Sequence, residues 1–134
     1  MAFCKILPHP ADLKIKLRGK SWQELIVRSA QCFSFLILDS EDFNSCLTQK
    51  KIKIRLKGKD RKEQLVNFLN DLIFIFDTSR LLPRKGEVVS GVFKGEFFRV
   101  EESEIKKRIK SATFYELQVK ERKKQIEAEV VFDV

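Results

Sequence analysis

The stretch Leu65-Val66-Asn67-Phe68-Leu69-Asn70-Asp71-Leu72-Ile73-Phe74-Ile75-Phe76-Asp77 carries nine large apolar residues in thirteen positions. Leu65, Leu69, Leu72 and Phe76 recur at the three-and-four spacing that places them on one face of a helix. Val66, Ile73 and Phe74 widen that stripe until little polar surface remains. The pattern predicts a buried helix with the sheet wrapped around it. The run is too short, and its flanks too polar, to cross a bilayer. Asp60 supplies a cap for its start, and Glu63 three residues on is the reciprocal partner of a capping box, which satisfies two orphan amides. Immediately upstream, Ile52-Lys53-Ile54-Arg55-Leu56-Lys57-Gly58 alternates apolar and charged residues and ends in glycine, as a half-buried strand and a turn do.

The same grammar occurs earlier in the chain. Ile15-Lys16-Leu17-Arg18-Gly19-Lys20-Ser21 lies thirty-nine residues before Ile54-Arg55-Leu56-Lys57-Gly58-Lys59-Asp60. Ser21 and Glu24 repeat the capping box, and Phe35 falls in register with Phe74. The spacing reads as an internal duplication of a strand–glycine–helix unit, with two unrelated strand–helix units as the alternative. Two copies are too few for a solenoid; they predict one pseudo-symmetric domain over residues 1–134.

A chain of 134 residues with 43% apolar content can bury a core of its own and is not disordered. Cys4, Cys32 and Cys46 are odd in number, far apart and free of any Cys-x-x-Cys pair. They read as reduced packing residues of a cytoplasmic protein. The first residues contain no signal-peptide apolar run. A formal net charge of +8 points towards an acidic partner such as RNA. The cations are spread along the chain, however, and no basic stripe is interleaved with stacking aromatics. RNA binding by the chain itself is therefore expected to be weak.

In order, the chain predicts a short edge strand from Phe3 to Leu7 ended by Pro8. A rigid loop His9-Pro10-Ala11-Asp12 leads to a strand through Leu13, Ile15 and Leu17. A helix from about Trp22 to Leu36 follows, with Leu25, Ala30, Phe33 and Leu36 inward, then a loop over Asp39 to Gln49. After the second strand–helix unit, ending at Asp77 to Ser79, the pattern turns to β beyond Pro83. Strand residues from Glu87 to Phe98 are broken by glycines, and Glu101 to Arg108 is a charged connection. Ile109 to Val119 and Ile126 to Phe132 are two strands joined by the turn Lys120 to Lys124. The order implies an α+β fold, an antiparallel or mixed sheet with two helices packed on it.

One histidine excludes a histidine metal cluster, and isolated glycines exclude a phosphate-binding loop. The carboxylates remain. Asp12 precedes a strand and Asp133 ends one, with the C-terminal carboxylate of Val134 next to it. Aspartate at a strand end is ordinarily a solvated turn residue. Brought together, these three groups would form a hard-oxygen site suited to Mg²⁺ or Ca²⁺.

Over essentially its whole length the chain resembles the archease family, protein cofactors of RtcB-type tRNA-splicing RNA ligases. His9-Pro10-Ala11-Asp12 is similar to that family's His-Thr-Ala-Asp, and Leu69-Asn70-Asp71-Leu72 through Asp77 to its Leu-Asn-Glu-Leu helix ending in Phe-Asp. Gly95-Glu96 with Phe98 resembles Gly-Glu-x-Phe, Lys110 to Tyr115 resembles Lys-Ala-Val-Thr-Tyr-His, and Val131-Phe132-Asp133-Val134 matches the ending. Pro8 replaces an acidic residue, Pro10 a threonine and Tyr115 a frequent histidine. The resemblance implies an activator, not a stand-alone enzyme, that promotes guanylylation and multiple turnover of an RNA ligase in tRNA splicing. It implies a divalent metal ion, calcium or magnesium, held by Asp12, Asp133 and Val134. His9 would orient Asp12, and Lys110 would be a functional base at the site mouth. It implies no membrane association. The alternative is a basic RNA-binding accessory module of an RNA-modifying enzyme, its carboxylates merely structural.

Overall fold

The computed structural model describes residues 1–43 and 45–134. The elements run β1 (Cys4–Leu7), β2 (Leu13–Gly19), α1 (Trp22–Leu38), β3 (Lys50–Arg55), α2 (Arg61–Ser79), β4 (Leu81–Val89), β5 (Val92–Arg99), β6 (Ser111–Arg122) and β7 (Gln125–Asp133). The α+β class is as expected, but the strands form two sheets. One has the order β1-β2-β7-β6 and the other β3-β5-β4, and the pairings within both are antiparallel. Helix α1 contacts β2 in the first sheet and β4 in the second, while α2 contacts β6, β3 and β4. The helices therefore lie between the two sheets, and each sheet turns its other face outward.

The two copies of the strand–glycine–helix unit share the geometry of their helix caps. Ser21 and Asp60 both have extended backbones, and each side chain accepts a hydrogen bond from the amide three residues on, Glu24 at 3.1 Å and Glu63 at 2.9 Å. A Cβ on Gly19 would lie 2.7 Å from the Leu25 amide nitrogen, and one on Gly58 would lie 2.7 Å from that of Gln64. Both glycines thus permit a strand to fold back directly onto the first turn of its helix. The reciprocal half of the capping box differs. Glu63 accepts from Lys59, one residue before the cap, and Glu24 turns away to Arg28 at 2.7 Å.

The helix on which the molecule is centred is α1, contrary to the expectation for α2. Ten residues of α1 are buried, among them Leu25, Ile26, Phe33 and Ile37 on different sides. Two buried serines are satisfied by main-chain carbonyls, Ser29 Oγ donating to Ile26 within the helix and Ser34 Oγ to Pro83 of β4. In α2, Leu65, Leu69, Leu72 and Phe76 are buried as the spacing requires, but Phe74 is 66% exposed. The sheets do not wrap around α2: that helix contacts β6 of one sheet and β3 and β4 of the other, and leaves the Phe74 side open.

Three further expectations are corrected. Cys4 of β1 and Cys32 of α1 form a disulfide, with Cα atoms 5.8 Å apart, so they are not reduced packing residues; Cys46 is free. Packing of α1 against β1 brings together two cysteines that sequence spacing leaves unrelated. Strand β4 starts at Leu81, ahead of Pro83, and tolerates the proline because it is an edge strand with a register shift between Pro83 and Lys85. The β6–β7 hairpin is tight, so Lys120 to Arg122 belong to β6 and the turn is Lys123-Lys124. The loop expected over Asp39 to Gln49 includes position 44, which lies outside the described residues. Among the described residues no helix is long and apolar enough to cross a membrane.

Candidate functional site

Strands β2 and β7 are neighbours in the four-stranded sheet, and their register runs from Gly19–Ile126 to Leu13–Phe132. One step beyond that last pair stand Asp12 and Asp133. The two aspartates thus stand at the same end of two adjacent strands, each adjoining the Leu13–Phe132 pair, with Val134 following Asp133. Asp133 is also the register partner of Ser111, and its carbonyl accepts a 2.8 Å hydrogen bond from the Lys110 amide. Asp12, Asp133, Val134 and Lys110 therefore meet at the same strand end.

His9 joins them from the loop before β2. Its Nδ1 is buried without a hydrogen-bond partner and lies 3.9 Å from Asp12 Oδ2. Its Nε2 lies 3.5 Å from Glu116 Oε2, and the Tyr115 ring approaches edge-on at 6.2 Å. Tyr115 and Glu116 reach this position through an irregularity in β6. Thr113 pairs with Val131 and Gln118 with Glu129, so the residues between them bulge out of the ladder, and Glu116 adopts a left-handed backbone. The same Glu116 oxygen accepts from Lys14 Nζ at 3.0 Å, and Lys14 also lies 3.5 Å from Glu129. The Lys14 hydrogen bond holds the Glu116 carboxyl below its ordinary range, and Glu116 in turn raises the Lys14 ammonium.

The sequence pointed to His9, Asp12, Lys110, Asp133 and Val134 and missed Lys14, Glu116 and Glu129. The signal for Lys14 was its outward place on the alternating strand. Nothing local announces the bulge that delivers Glu116.

The donor set for a metal ion is all hard oxygen. Asp12 is one-third exposed, Asp133 is exposed, and neither carboxylate is ion-paired with a lysine or arginine among the described residues. No three His, Cys, Asp or Glu side chains among the described residues are close enough to hold a metal by themselves. Two aspartates and main-chain oxygens suit a hydrated Mg²⁺, which keeps several waters and takes one or two carboxylates. They are fewer than the six to eight oxygens of a full Ca²⁺ cage, so Ca²⁺ would also need water.

Two helices between two antiparallel sheets, with an acidic end on the larger sheet, define a class of small α+β proteins. The description of the archease protein family (MTH1598/TM1083) matches residues 5–134, and the chain belongs to that family. It is 24% identical to the protein archease of Archaeoglobus fulgidus over 139 aligned positions, covering 97% of this chain and 98% of that one. It is 23% identical to the protein archease of Methanosarcina barkeri, covering 96% and 93%. The solution structure of Methanobacterium thermoautotrophicum protein 1598 superposes with a TM-score of 0.80 at 20% identity, over the full length of both chains. The crystal structure of a Thermotoga maritima archease described as a possible chaperone gives 0.66 at 22% identity, over 97% and 96%. These two likenesses establish the fold.

Proposed function

We propose that this archease-family protein is an activator of an RtcB-type RNA ligase in tRNA splicing or RNA repair, and not a stand-alone catalyst. It promotes guanylylation and multiple turnover of the ligase, and a divalent ion held by Asp12, Asp133 and the Val134 carboxylate is part of the surface it presents. What supports this reading is that Asp12 and Asp133 stand at the same accessible end of adjacent strands, with neither charge paired to a lysine or arginine among the described residues.

Two like charges close together in partial solvent are unfavourable unless a cation stands between them. A bound ion would supply positive charge for a phosphate or nucleotide in the partner's site. Around it, His9 limits where Asp12 can turn, and Lys14 keeps Glu116 ionised and engaged away from the aspartates. Lys110 is fixed through its amide to Asp133 with its ammonium free to meet an anion. The proposed setting is the cytoplasm, where the fold must hold with Cys4 and Cys32 reduced as well as bonded.

A ligase turnover assay tests the reading. The protein should convert single-turnover ligation into multiple turnover, and Asp12→Ala or Asp133→Ala should remove that effect without unfolding the protein. Undiminished stimulation by the double alanine variant would overturn it in favour of an RNA-binding accessory module.

A further inference from the structure

The duplicated strands β2 and β3 carry the same outward cations in different company. On β2, Lys14 lies 3.5 Å from Glu129, Lys16 3.5 Å from Glu127 and Arg18 3.8 Å from Glu127, so the acids of β7 neutralise the row. Thirty-nine residues on, the equivalent positions are Lys53, Arg55 and Lys57. There the neighbouring strand is β5, whose acid on this face, Glu96, is the register partner of Lys51 and not of Lys53 or Arg55. Lys53 is the direct register partner of Lys94, and Arg55 that of Val92.

Lysines placed directly opposite on adjacent strands repel, and Lys51, Lys53, Arg55 and Lys94 have no ion-pair partner among the described residues. Two acids share this face. Glu96 is occupied by Arg84 at 3.1 Å, Lys85 at 3.4 Å and Thr48 at 2.8 Å. Glu87 pairs in register with Lys94 without forming an ion pair. Between these side chains runs an open groove of about 410 Å³, lined by Lys51, Lys53, Lys85, Lys94, Glu87 and Glu96. The cations that look dispersed in the sequence are thus gathered by the three-stranded sheet onto one outward face, on a different sheet from the strands that end at the aspartates.

We infer that this outward face of β3 and β5 is a binding surface for the phosphodiester backbone of single-stranded RNA. Alternate residues on a strand are about 7 Å apart, so Lys51, Lys53 and Arg55 offer an extended row of charge to an extended polyanion, and Lys94 widens it. The groove itself is lined by no aromatic ring, so recognition within it is of phosphate, although the exposed Phe74 stands in the adjoining cleft beside Lys53 and Arg55. Affinity is accordingly modest, independent of sequence and steeply dependent on salt. The choice of RNA over another polyanion rests on the function proposed above; the cationic face itself does not.

The test is fluorescence anisotropy with a labelled oligouridylate and the full-length protein, without ligase and without divalent ions. The charge-reversal variant K53E/R55E/K94E should lose at least about tenfold in affinity, and its plot of log K against log salt should flatten by about 2. The variant K120E/K123E/K124E changes net charge equally on the β6–β7 hairpin and should stay within about threefold of the parent. Equal losses in both variants would mean bulk charge, and an undiminished K53E/R55E/K94E would mean no such surface; either overturns the inference. Binding of polyglutamate at this face in place of oligouridylate would also overturn it, since the occupant would then be an acidic protein segment. Because neither ligase nor metal is present, failure here leaves the reading of Asp12 and Asp133 standing, and the reverse also holds.

Discussion

Asp12 and Asp133 stand at the same end of the adjacent strands β2 and β7, each one residue past the Leu13–Phe132 pair. Their charges repel in the metal-free protein, so cation binding should stabilise the fold. Thermal melts after chelation should show Tm rising with added Mg²⁺ or Ca²⁺, by the equivalent of about 2.7 kcal/mol at a hundredfold excess over Kd. Asp12→Asn and Asp133→Asn should melt at or above the metal-free parent and should not respond to either ion. A parent protein indifferent to both ions would refute the metal site.

The open side of α2 gives a second expectation. Leu69→Ala should cost about 2–5 kcal/mol, because it leaves a cavity around a fully buried position. Phe74→Ala, on the same helix, should change stability by less than about 0.5 kcal/mol. Urea unfolding of the pair checks this, and equal losses would mean that Phe74 packs against something.

The Lys14–Glu116 contact should appear in the pH dependence of stability. Glu116 titrates below its ordinary 4.5 in the folded protein, so its contribution is present above that pH and is lost as the pH falls through the folded value. Lys14 titrates above its ordinary 10.5, so its contribution is present below that pH and is lost as the pH rises through the raised value. Glu116→Gln should flatten both limbs of a Tm-against-pH curve and leave the neutral region least changed in shape. Superimposable acid limbs in parent and variant would contradict the assignment.

The Cys4–Cys32 bond closes a loop across a sequence separation of 28. On the chain-entropy account it stabilises by about 3–4 kcal/mol. Cys4→Ser, or the parent in reductant, should therefore unfold at lower urea with secondary structure retained in dilute buffer. Identical midpoints with and without reductant would show the bond to be energetically silent.

Lys94→Glu separates stability from binding. The substitution places an acid opposite Lys53 on one side and opposite Glu87 on the other, so the two cross-strand changes offset and stability should shift by less than about 0.5 kcal/mol. The same change should weaken oligouridylate binding. A variant that is both less stable and weaker in binding would indicate structural damage instead of a lost contact.

What was legible in the sequence is what short-range periodicity carries. The alternation in β2 and β3, the capping residues Ser21 and Asp60 and the glycines behind them located both strand–helix units nearly to the residue. Long-range pairing was not legible. The division into two sheets, the Cys4–Cys32 bond and the juxtaposition of Lys53 with Lys94 depend on which strand lies beside which, and alternation is blind to that. The exposure of Phe74 escaped for a related reason: an apolar residue on a helix reads as buried until the neighbours that would bury it are known. At the acidic end, Asp12 and Asp133 were singled out by their strand-end positions and family resemblance, and the structure places them at the same end of adjacent strands. Glu116 depended on a bulge with no turn residue to mark it.

The strand order β1-β2-β7-β6 also bears on how the molecule assembles. Strand β7, late in the chain, lies inside its sheet and zips onto β2 from near the start. That pairing closes almost the whole chain into one loop, a step that is slow because its entropic cost precedes its reward. The three-stranded sheet and both helices are built from nearer neighbours and can form before it. The two aspartates then come to the same end of adjacent strands only when this last closure is made, so metal uptake would serve as a kinetic signal for the arrival of β7, distinguishable in stopped-flow refolding from the earlier burial of Trp22.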